Sequence, residues 1–127
     1  MKVKLAAFLL CKDFIADQSG GGGVSLIGII QGITIHTFPA TFNFVIYFGI
    51  RKLEGTHSVR IMARKPNGEE LQIAIIEPYV SKDSSPVHHF LHRVGMVVEQ
   101  DGEYNFQGYL DGELIGEATL PVVKLSG

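Results

Sequence analysis

Three histidines in the segment "PVHHFLHRVG", His88, His89 and His92, are the residues best suited to chemistry. Imidazole serves as a general base or a metal ligand near neutral pH. In an extended strand, His88 and His92 share one face and His89 points to the other. The Cα atoms of His88 and His92 then lie about 13 Å apart, at roughly 3.3 Å per residue, too far for both to bind one metal ion. We therefore predict no metal here; a metal site would need distant ligands such as His36 or His57.

The other nucleophiles and carboxylates form no catalytic set. Cys11 is the only cysteine, and no nucleophile-elbow motif surrounds Ser81, Ser84 or Ser85. Two "DGE" segments supply acidic residues with turn character and without the Asp-x-Asp spacing of an EF-hand calcium loop. The sequence predicts no catalytic residue and no cofactor.

The segment "QSGGGGVSLIGII", from Gln18 to Ile30, contains four consecutive glycines. A phosphate-binding loop would need a following Lys-Ser/Thr pair and a helix, and neither is present. We interpret residues 19–23 as a flexible connection that leads into a β-strand.

Tyrosines supply the other candidate contacts. Tyr47 and Tyr109 fall on outward rows of predicted strands, and Tyr79 falls in a predicted loop. Tyrosine offers a large apolar area with a polar tip, as binding surfaces require. We group these tyrosines with the histidines as a candidate ligand or partner surface: His88, His89, His92, Tyr47, Tyr79 and Tyr109.

Length and composition limit the class of protein. The 127 residues suit a single domain spanning 1–127; 46% are hydrophobic and the net charge is -2. This balance argues against nucleic-acid binding. The start, "MKVKLAAFLLC", has the outline of a lipoprotein signal, but its apolar run is short and Leu10 stands where a small residue is needed. We predict a buried strand there, no membrane association and a cytoplasmic location.

Alternation of apolar and polar residues is the main structural signal. In "TFNFVIYFGI" the residues Phe42, Phe44, Ile46, Phe48 and Ile50 form one apolar row. Asn-Gly and Asp-Gly pairs between such runs are typical of tight hairpins. The pattern predicts an all-β, antiparallel, immunoglobulin-like sandwich with a helical turn at most around Tyr79–Pro86. Eight strands are expected, at roughly 2–11, 24–36, 41–53, 57–65, 69–77, 87–99, 103–110 and 113–124.

Some predicted strands are apolar on both faces. In "EELQIAIIE", Leu71, Ile73 and Ile75 form one row, while Ala74 and Ile76 form the other. Only one row enters the core of an outer sheet, so the second needs a cover. We predict a homo-oligomer, most simply a two-fold dimer, with Val45, Ala74 and Ile76 in its interface.

Several segments resemble an uncharacterised family of small bacterial and phage β-sandwich proteins, a domain of unknown function. The similar segments are "AAFLLCKDF", "VSLIGIIQGI", "HTFPATFNF" and "GEYNFQGYLDGELIGEATLPV". The sequence departs from the family pattern at Ile30-Gln31, where Phe-Asp is usual, and at Gly22-Gly23, where Gly-Lys is usual. The resemblance implies a sandwich and supplies no catalytic residue.

Three functions remain open from the sequence. The first is a non-catalytic binding or assembly module with an unknown protein partner, which the lack of a catalytic set favours. The second is a small-molecule binder, for example of a signalling nucleotide. The third is an enzyme that depends on His88, His89 or His92.

Overall fold

Our computed structural model describes residues 4–16, 23–81 and 86–125. These residues form β-strands joined by turns. Nine strands follow one another along this part of the chain. They are β1 (Lys4–Ala16), β2 (Val24–Ile29), β3 (Ile33–Ile35), β4 (Ala40–Arg51), β5 (Gly55–Arg64), β6 (Glu70–Ser81), β7 (Val87–Val98), β8 (Gly102–Leu110) and β9 (Glu113–Lys124).

The strands form two sheets that enclose one core. One sheet has the order β2-β1-β4-β7, and the other has the order β3-β9-β8-β5-β6. All neighbours are antiparallel except β3 and β9, which are parallel. The predicted all-β sandwich is confirmed.

The apolar row of β4 fills the space between the sheets, as its alternation predicts. Phe44, Ile46, Phe48 and Ile50 are all buried. The Phe44 ring meets Phe106 of the opposite sheet edge-on, with ring centroids 5.4 Å apart. Edge-to-face aromatic contacts of this kind add to the free energy gained from burial.

The predicted Asp-Gly turn between β8 and β9 is confirmed in detail. Asp111 and Gly112 have φ angles of 51° and 83°. Two successive positive φ values define the type I′ turn that suits a two-residue hairpin, and Asp and Gly tolerate them.

The structure corrects several predicted boundaries. The predicted strand 24–36 is two strands, β2 and β3, which lie in different sheets. The segment to which any helical turn was limited, Tyr79–Pro86, begins as strand, because residues 79–81 continue β6, while 82–85 lie outside the described residues. Most of the glycine run also lies outside them. Among the described residues no helix is long and apolar enough to cross a membrane.

Candidate functional site

Strands β6 and β7 are the edges of their respective sheets, and they lie next to each other on the same side of the sandwich. We call the depression between them the edge groove. It has a volume of about 390 Å³ and is lined mainly by apolar side chains. Its lining includes Ile75 and Ile76 from β6 and His89, Leu91 and His92 from β7.

The three histidines of β7 divide between its two faces, as strand geometry predicts. His88 and His92 pair with Ile50 and Ile46 of β4, whose side chains lie in the core. His89 pairs with Gly49 and therefore lies on the outer face.

His88 connects β7 to β6 and is itself buried. Its Nδ1 is 2.9 Å from the Tyr79 hydroxyl, and its Nε2 is 3.3 Å from the Ser81 hydroxyl. Tyr79 lies in a strand and not in the predicted loop, and its ring meets Phe90 at a centroid distance of 4.8 Å. These contacts hold the two edge strands together at one end of the edge groove.

His89 is bound to Tyr47 on the outer face of the four-stranded sheet. The Tyr47 hydroxyl lies 2.6 Å from Nδ1 of His89. The tyrosine ring covers Gly49, where an added Cβ would come within 2.8 Å of the ring carbon Cζ. Burial raises the pKa of Tyr47. The pKa of His89 is lowered, first by burial and then by the charge of His88.

Tyr109 does not join this group. It lies on β8, where it pairs with Arg60 of β5 and Leu114 of β9, in the middle of the five-stranded sheet. The six predicted surface residues therefore do not form one surface: Tyr79 and the three histidines border the edge groove, Tyr47 contacts it through His89, and Tyr109 is separate.

The predicted interface residues are also divided. Val45 lies on the outer face of the four-stranded sheet, but it is only 1% exposed, because neighbouring side chains cover it. Ala74 and Ile76 pair with Ile61 and Val59, which are core residues, so they face the inside of the sandwich and not the outside. The outward placement of Ala74 and Ile76 was wrong because the register shifts between Ile61 and Met62, which exchanges the two rows of β6.

Ile76 nevertheless remains 39% exposed, because β6 has no further strand beyond it. Its side chain lies at the open margin of the core, where it lines the edge groove. Two of the three predicted interface residues, Ala74 and Ile76, thus lie together in the edge groove.

The two edge strands differ in their ionisable residues. Strand β6 carries Glu70 and Glu77 and no basic residue, while β7 carries Arg93 and three histidines and no acidic residue. No group of three or more His, Cys, Asp or Glu side chains suited to a metal ion occurs among the residues described. No sequence pattern indicates this groove, since it depends on which strands become edges.

The comparison with protein families identifies the chain. The model of a family of unknown function, DUF6941, matches residues 6–123. The chain belongs to this family. The predicted resemblance to an uncharacterised domain is thereby confirmed. The part of this DUF6941 member that matches the family includes all nine strands except the ends of β1 and β9. Among curated proteins, none matches the sequence.

Proposed function

We propose that the protein is a non-catalytic assembly module that binds a second copy of itself along the edge groove. One observation carries this proposal: two neighbouring edge strands bear an apolar groove, and acidic residues occur on β6 alone and basic residues on β7 alone. A strand edge presents backbone N–H and C=O groups that other strands can pair with.

The arrangement of charge favours a second copy as the occupant. A two-fold axis between the two copies places β6 of each copy against β7 of the other. The strand that carries Glu70 and Glu77 then lies opposite the strand that carries the histidines and Arg93. Such an interface is complementary to itself, as a closed two-fold dimer requires.

The length of the two edge strands sets the size of the interface. Both strands contain 12 residues, which gives a length of about 40 Å at roughly 3.3 Å per residue. With the sheets about 10 Å apart, the side measures roughly 400 Å² per copy, the size of a weak, reversible interface. Pro78 has no N–H, so added backbone pairing is expected along Glu70–Ile76.

Size-exclusion chromatography with light scattering tests the proposal. Ile76→Asp and Leu91→Asp each place a charge in the edge groove, one on either strand, and both should convert a dimer to a monomer. Val123→Asp is the matched control, because Val123 is 58% exposed on β9, which is separated from β6 by two strands of the five-stranded sheet.

The control should remain dimeric, with an unchanged circular dichroism spectrum in all three variants. A wild-type monomer, or dissociation of Val123→Asp to the same extent, would contradict the proposal. Use of two groove variants guards against a folding defect in one of them.

A further inference from the structure

Strand β1 changes partner half-way along its length, and this opens a second cleft. It pairs with β4 from Lys4 to Cys11 and with β2 from Cys11 to Ala16. Strand β4 pairs with β7 along its whole length, but it pairs with β1 only from Val45 onward. Residues 40–44 of β4 therefore have no β1 residue opposite them. A cleft of about 320 Å³ lies where the strands separate, lined in part by Lys12, Asn43, Arg93 and Gly95.

The two cations of this cleft are held in place by their surroundings. The stem of Lys12 crosses Gly28, where an added Cβ would lie 3.0 Å from Cγ and Cδ of the lysine. Arg93 donates from Nη2 to Oδ1 of Asp13 at 3.1 Å, and its guanidinium lies 5.0 Å from the centroid of the Phe14 ring. The ordering of long cationic side chains before a ligand arrives lowers the entropy lost on binding.

Donor capacity remains in the cleft after these contacts. The guanidinium group has five N–H donors, and its bond to Asp13 uses one of them. Lys12 forms no ion pair within the described part of the chain. Asn43 adds an amide beside Gly95, whose missing Cβ would stand 3.0 Å from the Asn43 Oδ1.

The lining therefore carries the Lys12 and Arg93 cations and an amide, and the carboxylate beside it, Asp13, is already paired with Arg93. We propose that this cleft binds the anionic group, a phosphate or a carboxylate, of a small ligand. Guanidinium and ammonium groups form their strongest hydrogen bonds with such anions. This inference rests on Lys12, Asn43 and Gly95, which take no part in the assembly proposed above; Arg93, a residue of β7, is common to both.

Two-dimensional NMR of the ¹⁵N-labelled protein tests the site, with inorganic phosphate and acetate as separate probes at constant ionic strength. The expected result is a saturable shift of the Asn43 side-chain amide and of the Gly95 backbone amide with at least one probe. Lys12→Met and Arg93→Met should each weaken that binding about tenfold, the loss expected for one charge-assisted hydrogen bond. Lys124→Met, a change of one exposed lysine on β9, should leave it unaltered.

Two results would overturn the proposal. The first is the absence of a saturable shift with either probe. The second is equal weakening by Lys124→Met, which would indicate a general effect of net charge and not a site. A response to phosphate alone or to acetate alone supports the site and identifies which anion it prefers.

Discussion

His57 and Asp111, 54 residues apart in the sequence, join the start of β5 to the β8–β9 turn through a 2.6 Å hydrogen bond. The other ring nitrogen of His57 lies 2.5 Å from the Glu54 carbonyl oxygen. A carboxylate and a carbonyl both accept, so only the doubly protonated imidazolium donates to both. Asp111 also accepts a hydrogen bond from the Ser58 N–H at 2.8 Å. The pair thus fixes the turn to the neighbouring strand.

This pair predicts how the free energy of unfolding changes with pH. The Asp111 hydrogen bond raises the pKa of His57 above 6.5, and the His57 hydrogen bond lowers the pKa of Asp111 below 3.8. The histidine contribution is complete below pH 6.5 and is lost as pH rises through the raised pKa. The aspartate contribution is present above pH 3.8 and is lost as pH falls through the lowered pKa.

Asp111→Asn tests this coupling, since asparagine keeps the turn geometry and removes the charge. Urea unfolding at fixed protein concentration should show a loss of about 0.5–1 kcal/mol near pH 6, the range for a largely exposed ion pair. Above pH 6.5 the variant should depend less on pH than the wild type. The Glu77 carboxylate, which accepts a hydrogen bond from the Ser58 hydroxyl, remains unchanged in both proteins. Equal pH slopes in the two proteins would contradict the coupling.

The pKa values of two histidines should move in opposite directions. The hydrogen bond to the Asp111 carboxylate raises the pKa of His57, whereas burial and then the charge of His88 lower the pKa of His89. A histidine with a lowered pKa stabilises the fold above pH 6.5, and this contribution is lost as pH falls through that pKa. NMR titration of the imidazole C–H resonances should place the midpoint of His57 above that of His89. The reverse order would show that the ring environments differ from those described.

Gly108 lies where the two sheets pack closely against each other. A Cβ at this position would lie 2.6 Å from Cε2 of Phe48 and 2.8 Å from Cε2 of Phe8. Gly108→Ala should therefore destabilise the fold by about 1–3 kcal/mol through overpacking. Gly32→Ala is the control, because its nearest neighbour, the Pro121 carbonyl oxygen, is 3.6 Å away. Chemical denaturation compares the two variants, and equal stabilities would contradict this explanation.

Cys11 should be unreactive in the native protein. Its side chain is fully buried, and burial is the main cause of its raised pKa. Because the thiolate is the reactive form, a disulfide reagent such as Ellman's should modify the thiol slowly until the protein is unfolded in urea. Rapid modification without denaturant would show that β1 opens readily.

The sequence predicted the sandwich because its alternation and turn residues act locally. Phe44 to Ile50 pack as their period requires, and Asp111-Gly112 forms the predicted hairpin. The position of Ile76 was not predictable in this way, since β6 is apolar on both rows and a register shift exchanges them. Tyr79 lies beyond the predicted strand 69–77, yet β6 continues through Pro78, which an edge strand tolerates. The edge groove depends on the order of strands in the sheets, which no short segment encodes.

The mass of the wild-type protein in solution tests the central claim most directly. Light scattering across micromolar concentrations, with each eluted peak measured, gives the mass without a shape assumption. Assembly through the edge groove predicts a species of twice the 13.9 kDa chain mass, converted to the single-chain mass by Ile76→Asp and retained by Val123→Asp. A wild-type mass of 13.9 kDa throughout that range would contradict the account.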